Sequence, residues 1–210
     1  MIHSKGGFEI RNWTSNCRTV LENLSGFPEH VLKNLSLPRG SNSERVLGML
    51  WRPADDELGF ENVCSKEITA LIETGDRPTK RQMLKCVMSL FDPLGLLASF
   101  LVHGKILMQE VWRSRIGWDE CVDDIIYEKW KKWIALFDRV NRVRIPRCYF
   151  PEASAKLYQS LETHVFVDAS EAAYSAVIYF RIANRDKSIQ CTLIAAKTKV
   201  AHSNMCRFLV

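Results

Sequence analysis

The hydrophobic period changes in the second half of this 210-residue chain, and that change constrains its fold more than any other feature. Between residues 78 and 137 apolar side chains recur every three or four positions, the spacing of a helix buried on one face. From His164 onward they gather in short runs bounded by polar turns, as in strands. Helices followed by antiparallel strands predict an α+β fold.

The helical part divides into three. Pro78 and Thr79 suit a first turn, and Leu84, Val87, Met88 and Phe91 fall on one face. Asp92-Pro93-Leu94-Gly95 then breaks the helix. A second helix carries a stripe of Leu97, Leu101, Met108, Val111 and Trp112. A third carries Ile126, Trp130, Trp133, Ile134 and Phe137, with Lys129, Lys131 and Lys132 largely off the stripe. Residues 141–155, with Pro146 and Pro151, read as an irregular linker. His164–Asp168, Tyr174–Arg181 and Ile189–Lys197 then form a meander with a turn at Asn184–Lys187. Three strands cannot bury both faces of their own sheet.

The first third is mixed. Gly6–Arg11 reads as a turn into a strand, and Ser15 or Asn16 could cap a helix through Val20 and Leu24. Val46–Trp51 reads as one apolar strand and Gly59–Val63 as its hairpin partner. No run of about 18 uncharged apolar residues occurs, so no membrane span is expected. The first seven residues lack the apolar core of a signal peptide. Seven widely spaced cysteines then fit reduced thiols and an intracellular, non-secreted protein.

Lys+Arg exceed Asp+Glu by 29 − 24 = 5. The excess is blocked: residues 43–75 carry net −4, residues 76–118 net +4 and residues 125–150 net +5. Basic helices that also carry tryptophan could track a nucleic-acid backbone, with Lys80, Arg81, Lys85, Arg113 and Arg115 as contacts. A solvated face is the plainer reading of each block.

Asp168 is the sharpest candidate for chemistry. It closes the apolar run Val165-Phe166-Val167, where a sheet presents ligands. It could hold Mg²⁺ in a two-metal phosphodiester site, or cap the following turn with Ser170. A metal site needs further carboxylates, and neither Glu171 nor Asp186 has a defensible placement. Zinc, Walker-type and serine-hydrolase patterns are missing.

Four segments together resemble the reverse transcriptase and ribonuclease H region of BEL/Pao-type LTR retrotransposon Pol polyproteins. Gly6–Asn16 resembles the family's Gly-Gly-Phe stretch downstream of the polymerase Asp-Asp motif. Val46–Trp51 resembles its primer-grip strand. Pro78–Arg81 through Phe91-Asp92-Pro93-Leu94-Gly95 resembles its thumb-region signature. His164–Ser170 resembles the first ribonuclease H strand. The region also carries the family title of a Pao retrotransposon peptidase, but no peptidase nucleophile, dyad or metal site is found.

The resemblance implies four parts: the end of a palm with a primer-grip-like hairpin (1–76), a helical thumb or connection (77–140), the linker, and a truncated ribonuclease H-like meander (156–210). It implies Asp168 as the first metal-binding carboxylate, Mg²⁺ as cofactor, and Trp51 as part of the nucleic-acid contact. Implied partners are an RNA–DNA hybrid or DNA duplex and the remainder of the Pol polyprotein. The polymerase Asp-Asp motif and the other ribonuclease H carboxylates are not found. The chain is therefore expected to be a fragment without polymerase or nuclease activity of its own. The alternatives are a non-catalytic nucleic-acid-binding module or an unstable remnant of a decayed element.

Overall fold

A computed structural model describes residues 43–46, 48–61, 65–150 and 158–202, with isolated positions 5–7, 15–17, 19–20 and 23 before them. The strand expected at Gly6–Arg11 and the helix expected through Leu24 fall largely outside the described residues.

Two antiparallel sheets and four helices make up the described chain. The first sheet holds β1 (Glu44–Val46), β2 (Met49–Arg52), β3 (Glu57–Gly59) and, returning from far along the chain, β4 (Arg144–Pro146). Val46–Trp51 is thus not one strand. Val46 pairs with Met49, and Gly48 between them has φ +79°. This glycine takes the left-handed backbone that hairpin turns need. The partner of β2 begins at Glu57, earlier than expected, and Leu58 of β3 pairs with Ile145 of β4. Part of the expected linker is therefore a strand, formed because β3 offers it a free edge.

The helices are α1 (Lys66–Thr74), α2 (Lys80–Met88), α3 (Ala98–Arg113) and α4 (Asp124–Ile134), with a 3₁₀ helix at Phe137–Arg142. No helix among the described residues is long and apolar enough to cross a membrane. α1 escaped the sequence reading, although Ser65 caps its start and Gly75 its end. In α2 the cap is Thr79, whose side chain and that of Gln82 form a reciprocal capping box. Pro78 sits just outside the helix.

The stripe on α4 is buried as expected at Ile126, Trp130 and Trp133, with Phe137 just beyond. Trp133 stacks on Phe100 at 4.9 Å between centroids and donates its indole N–H to the Phe100 carbonyl. The stripe on α2 is rotated from the expected one. Met83, Cys86 and Val87 face the core, while Met88 is 67% exposed and Phe91 is also exposed. On α3, Leu107 replaces Trp112 in the core.

β5 (Tyr158–Ala169), β6 (Ala173–Asn184) and β7 (Ile189–Val200) form the second sheet in that order. All three strands are longer than expected. Glu162, His164, Phe166 and Asp168 alternate onto one face of β5. On the other face Val165 and Val167 are exposed, while Phe180 is covered by Tyr149 and Phe150.

The helices and this sheet meet at the helix break. The Leu94 carbonyl accepts the Ala196 amide at 2.8 Å, so the break binds the outer edge of β7. Gly95 has φ +73°, and a Cβ there would lie 1.7 Å from the Ala196 carbonyl oxygen. Asp92 holds the turn: its two carboxylate oxygens accept from the amides of Leu96 (2.9 Å) and Leu97 (2.7 Å), just before α3. Gly95→Ala should cost about 3 kcal/mol or more in urea unfolding, because backbone must move. Gly75→Ala, with φ +68° but open space around it, should cost only about 1–2 kcal/mol. Equal costs would show that the joint is not made in solution.

Candidate functional site

Asp168 lies at the end of β5, in one row with Ser175 of β6 and Thr198 of β7. The row forms one wall of a cleft of about 420 Å³, and residues 95–103 form the other. The turn after Asp168 is organised by Ser170, whose hydroxyl donates to the Ala173 carbonyl at 3.0 Å and accepts the Ala172 and Ala173 amides. Asp168 itself is exposed, and its one hydrogen bond among the described residues is accepted from the adjacent Ala169 amide, at 2.9 Å.

His103 of α3 lines the same cleft. Its Nδ1 lies 2.8 Å from the Ser99 carbonyl, which can only accept. Nδ1 is therefore protonated, and in the neutral ring Nε2 carries the lone pair. The sequence alone reads His103 as a lone structural histidine, because nothing local marks a helical histidine as facing a strand far along the chain.

The cleft thus presents one carboxylate, one imidazole and a few hydroxyls. Among the described residues no group of three His, Cys, Asp or Glu side chains could hold a metal ion. Glu171 is exposed beside the turn, and Asp186 is engaged in its own turn by the amide and hydroxyl of Ser188. These hydrogen bonds hold the Asp186 carboxyl below its ordinary pKa. A two-metal centre needs several carboxylates, so the described donors do not fit one.

A protein-family model described as Pao retrotransposon-like RNaseH-like domain matches residues 79–207. The chain belongs to this family. No curated protein matches it. The match begins at the cap of α2 and runs through the helices into the meander. In this Pao-type domain the helices and the sheet also touch directly, at Leu94 and Ala196. RNaseH-like domains generally use Mg²⁺, and of the described residues only Asp168 is placed in the cleft with a carboxylate to offer it.

The basic residues divide by what they already hold. Lys80 is 5% exposed. Its ammonium donates to the Ile116 carbonyl at 3.1 Å and sits 3.9 Å from the Trp112 ring centroid and 5.4 Å from that of Trp118. This is a buried structural lysine with no surface to offer phosphate, which corrects its expected role. Arg81 is bidentate on Asp119, at 2.8 and 3.1 Å, and Lys85 reaches Glu67 at 3.1 Å. Both remain partly exposed. Arg113 and Arg115 are exposed and make no side-chain hydrogen bond or ion pair among the described residues.

Trp51 is corrected in the same way. It is 8% exposed, and its indole donates to Asp56 Oδ1 at 3.0 Å. Arg147 binds both oxygens of that carboxylate, at 2.6 and 3.1 Å, with its guanidinium 5.4 Å from the Trp51 ring centroid. The cluster ties the β2–β3 turn to the end of β4. Burial pushes the Asp56 carboxyl up, but the hydrogen bonds from Arg147 and Trp51 outweigh it and hold it below the ordinary range. A lowered folded-state pKa stabilises the fold above the unfolded value of about 3.9, and the contribution disappears as pH falls through the folded value. Asp56→Asn should therefore lower the melting temperature at pH 7 and leave it nearly unchanged near pH 2. A loss of equal size at both pH values would rule out this ion pair as the cause.

Proposed function

We propose that this Pao-type domain is a segment of a retrotransposon Pol polyprotein, from its reverse transcriptase and ribonuclease H region, and that it holds an RNA–DNA hybrid or DNA duplex without cleaving it alone. The family match across helices and sheet carries the reading. Asp168 supports the ribonuclease H part, since this exposed carboxylate lines a cleft at the end of a strand. In the working polyprotein Asp168 would share Mg²⁺ with carboxylates that the described residues do not supply. Arg113 and Arg115, free of internal partners, are the residues assigned to phosphates. Arg81 and Lys85 would join them only by giving up Asp119 and Glu67.

A second reading, a nucleic-acid-binding module with no catalytic part, rests on the same arginines and on the single carboxylate in the cleft. Both readings require affinity for duplex that falls steeply with salt. In fluorescence anisotropy with a labelled hybrid, Arg113→Gln/Arg115→Gln should weaken binding and make the logarithmic salt slope shallower by about 2. Lys80→Met should leave the slope unchanged while lowering stability. Absence of binding at low salt would remove both readings. Mg²⁺-dependent cleavage of the RNA strand, lost in Asp168→Asn, would overturn the claim that the chain does not cut alone.

A further inference from the structure

A second concavity, which meets the first cleft at Thr198, lies between α2, the middle of α3 and the last residues of β7, with a volume of about 520 Å³. Leu84, Met88, Met108 and Trp112 give it an apolar floor. Met88 and Trp112, like Phe91, are residues that the sequence placed in the core and the structure leaves exposed. Lys105, Lys197 and Lys199 stand around this floor. None of the three makes a side-chain hydrogen bond or ion pair among the described residues, and no carboxylate lines the groove.

The floor is preorganised. One neighbour of the Trp112 ring is the buried Lys80 ammonium at 3.9 Å, and Trp118 meets it edge-on at 5.3 Å. The ring's position is therefore set by internal contacts before anything docks, which lowers the ordering cost of binding. Met88 is an exposed, unbranched thioether that adapts to whatever shape lies against it.

We infer that this groove is a docking site for an acidic amphipathic helix of a partner protein. Hydrophobic residues at i, i+3 or i+4, and i+7 would lie over Met88 and Trp112, as in other helix-in-groove contacts. Glu or Asp on the flanks would meet Lys105, Lys197 and Lys199. The lining between the lysines is apolar save for Gln109 and Thr198. The occupant must therefore present a hydrocarbon face, which a phosphate backbone lacks.

The test uses the full chain and a labelled 18-residue peptide with Leu at i, i+4, i+7 and i+11 and Glu at most other positions. Anisotropy should show saturable binding with Kd on the order of 10 µM. Met88→Glu and the pair Lys197→Glu/Lys199→Glu should each weaken it at least about tenfold. Met88, Lys197 and Lys199 are exposed, so circular dichroism and the melting temperature should not change. No saturable binding up to about 1 mM, or binding that ignores these substitutions, overturns the inference. Two further results would also overturn it. One is a single-stranded oligonucleotide that binds in a Met88- and Lys197-dependent way while the peptide does not. The other is a dimer abolished by Met88→Glu with no peptide binding.

Discussion

The Leu94 carbonyl accepts the Ala196 amide, and the rest of the structure is arranged around that joint. A sheet of three strands has two outer edges, each with unsatisfied backbone groups. In this chain the edge of β7 is met by the backbone of a helix break. The break must be tight, so Asp92 closes it on the amides of Leu96 and Leu97, just before α3. It must also come close, so the residue beside Leu94 is one without a side chain. Phe91-Asp92-Pro93-Leu94-Gly95 is thus the point where the helical part grips the sheet. The cleft in front of Asp168 exists only because this contact brings residues 95–103 over that face.

Several charged side chains hold elements of the fold together. The carbonyls of Trp118 and Glu120 accept the first amides of α2 and seat the α3–α4 loop on that helix. Lys80 then fills the space beneath, where two indoles and a carbonyl replace its water. Arg81 holds the same loop through Asp119, and Arg147 holds the β2–β3 turn through Asp56. Arg113, Arg115 and the three lysines of the α2–α3–β7 groove are among the cations that keep no side-chain partner among the described residues.

Several elements could be read from the sequence because a single arrangement satisfied the local pattern. On α4 the apolar residues fall on one stripe, so Ile126, Trp130 and Trp133 had one way to be buried. On α2 apolar residues occupy two overlapping faces. Met83, Cys86 and Val87 won over Leu84 and Met88 because the neighbours supplied by α3 lie on that side. β4 is three residues long and has no signature of its own; it is a strand because β3 lies beside it. Asp168 could be placed at a strand end, but His103 could not be placed near it, since no local rule links a helix to a strand so far away.

The sequence alone determined the kind and order of α2, α3, α4 and the three strands of the second sheet, the turn breakers between them and the position of one carboxylate at the end of a strand. These depend on the covalent spacing of side chains along a helix or strand and on short-range capping. The tertiary structure decided which face of each helix is buried, which cations remain free and what stands across from Asp168. These depend on contacts between residues far apart in the chain, where the cost of leaving backbone groups, indoles and ammonium groups without partners selects one packing from several that the local pattern permits.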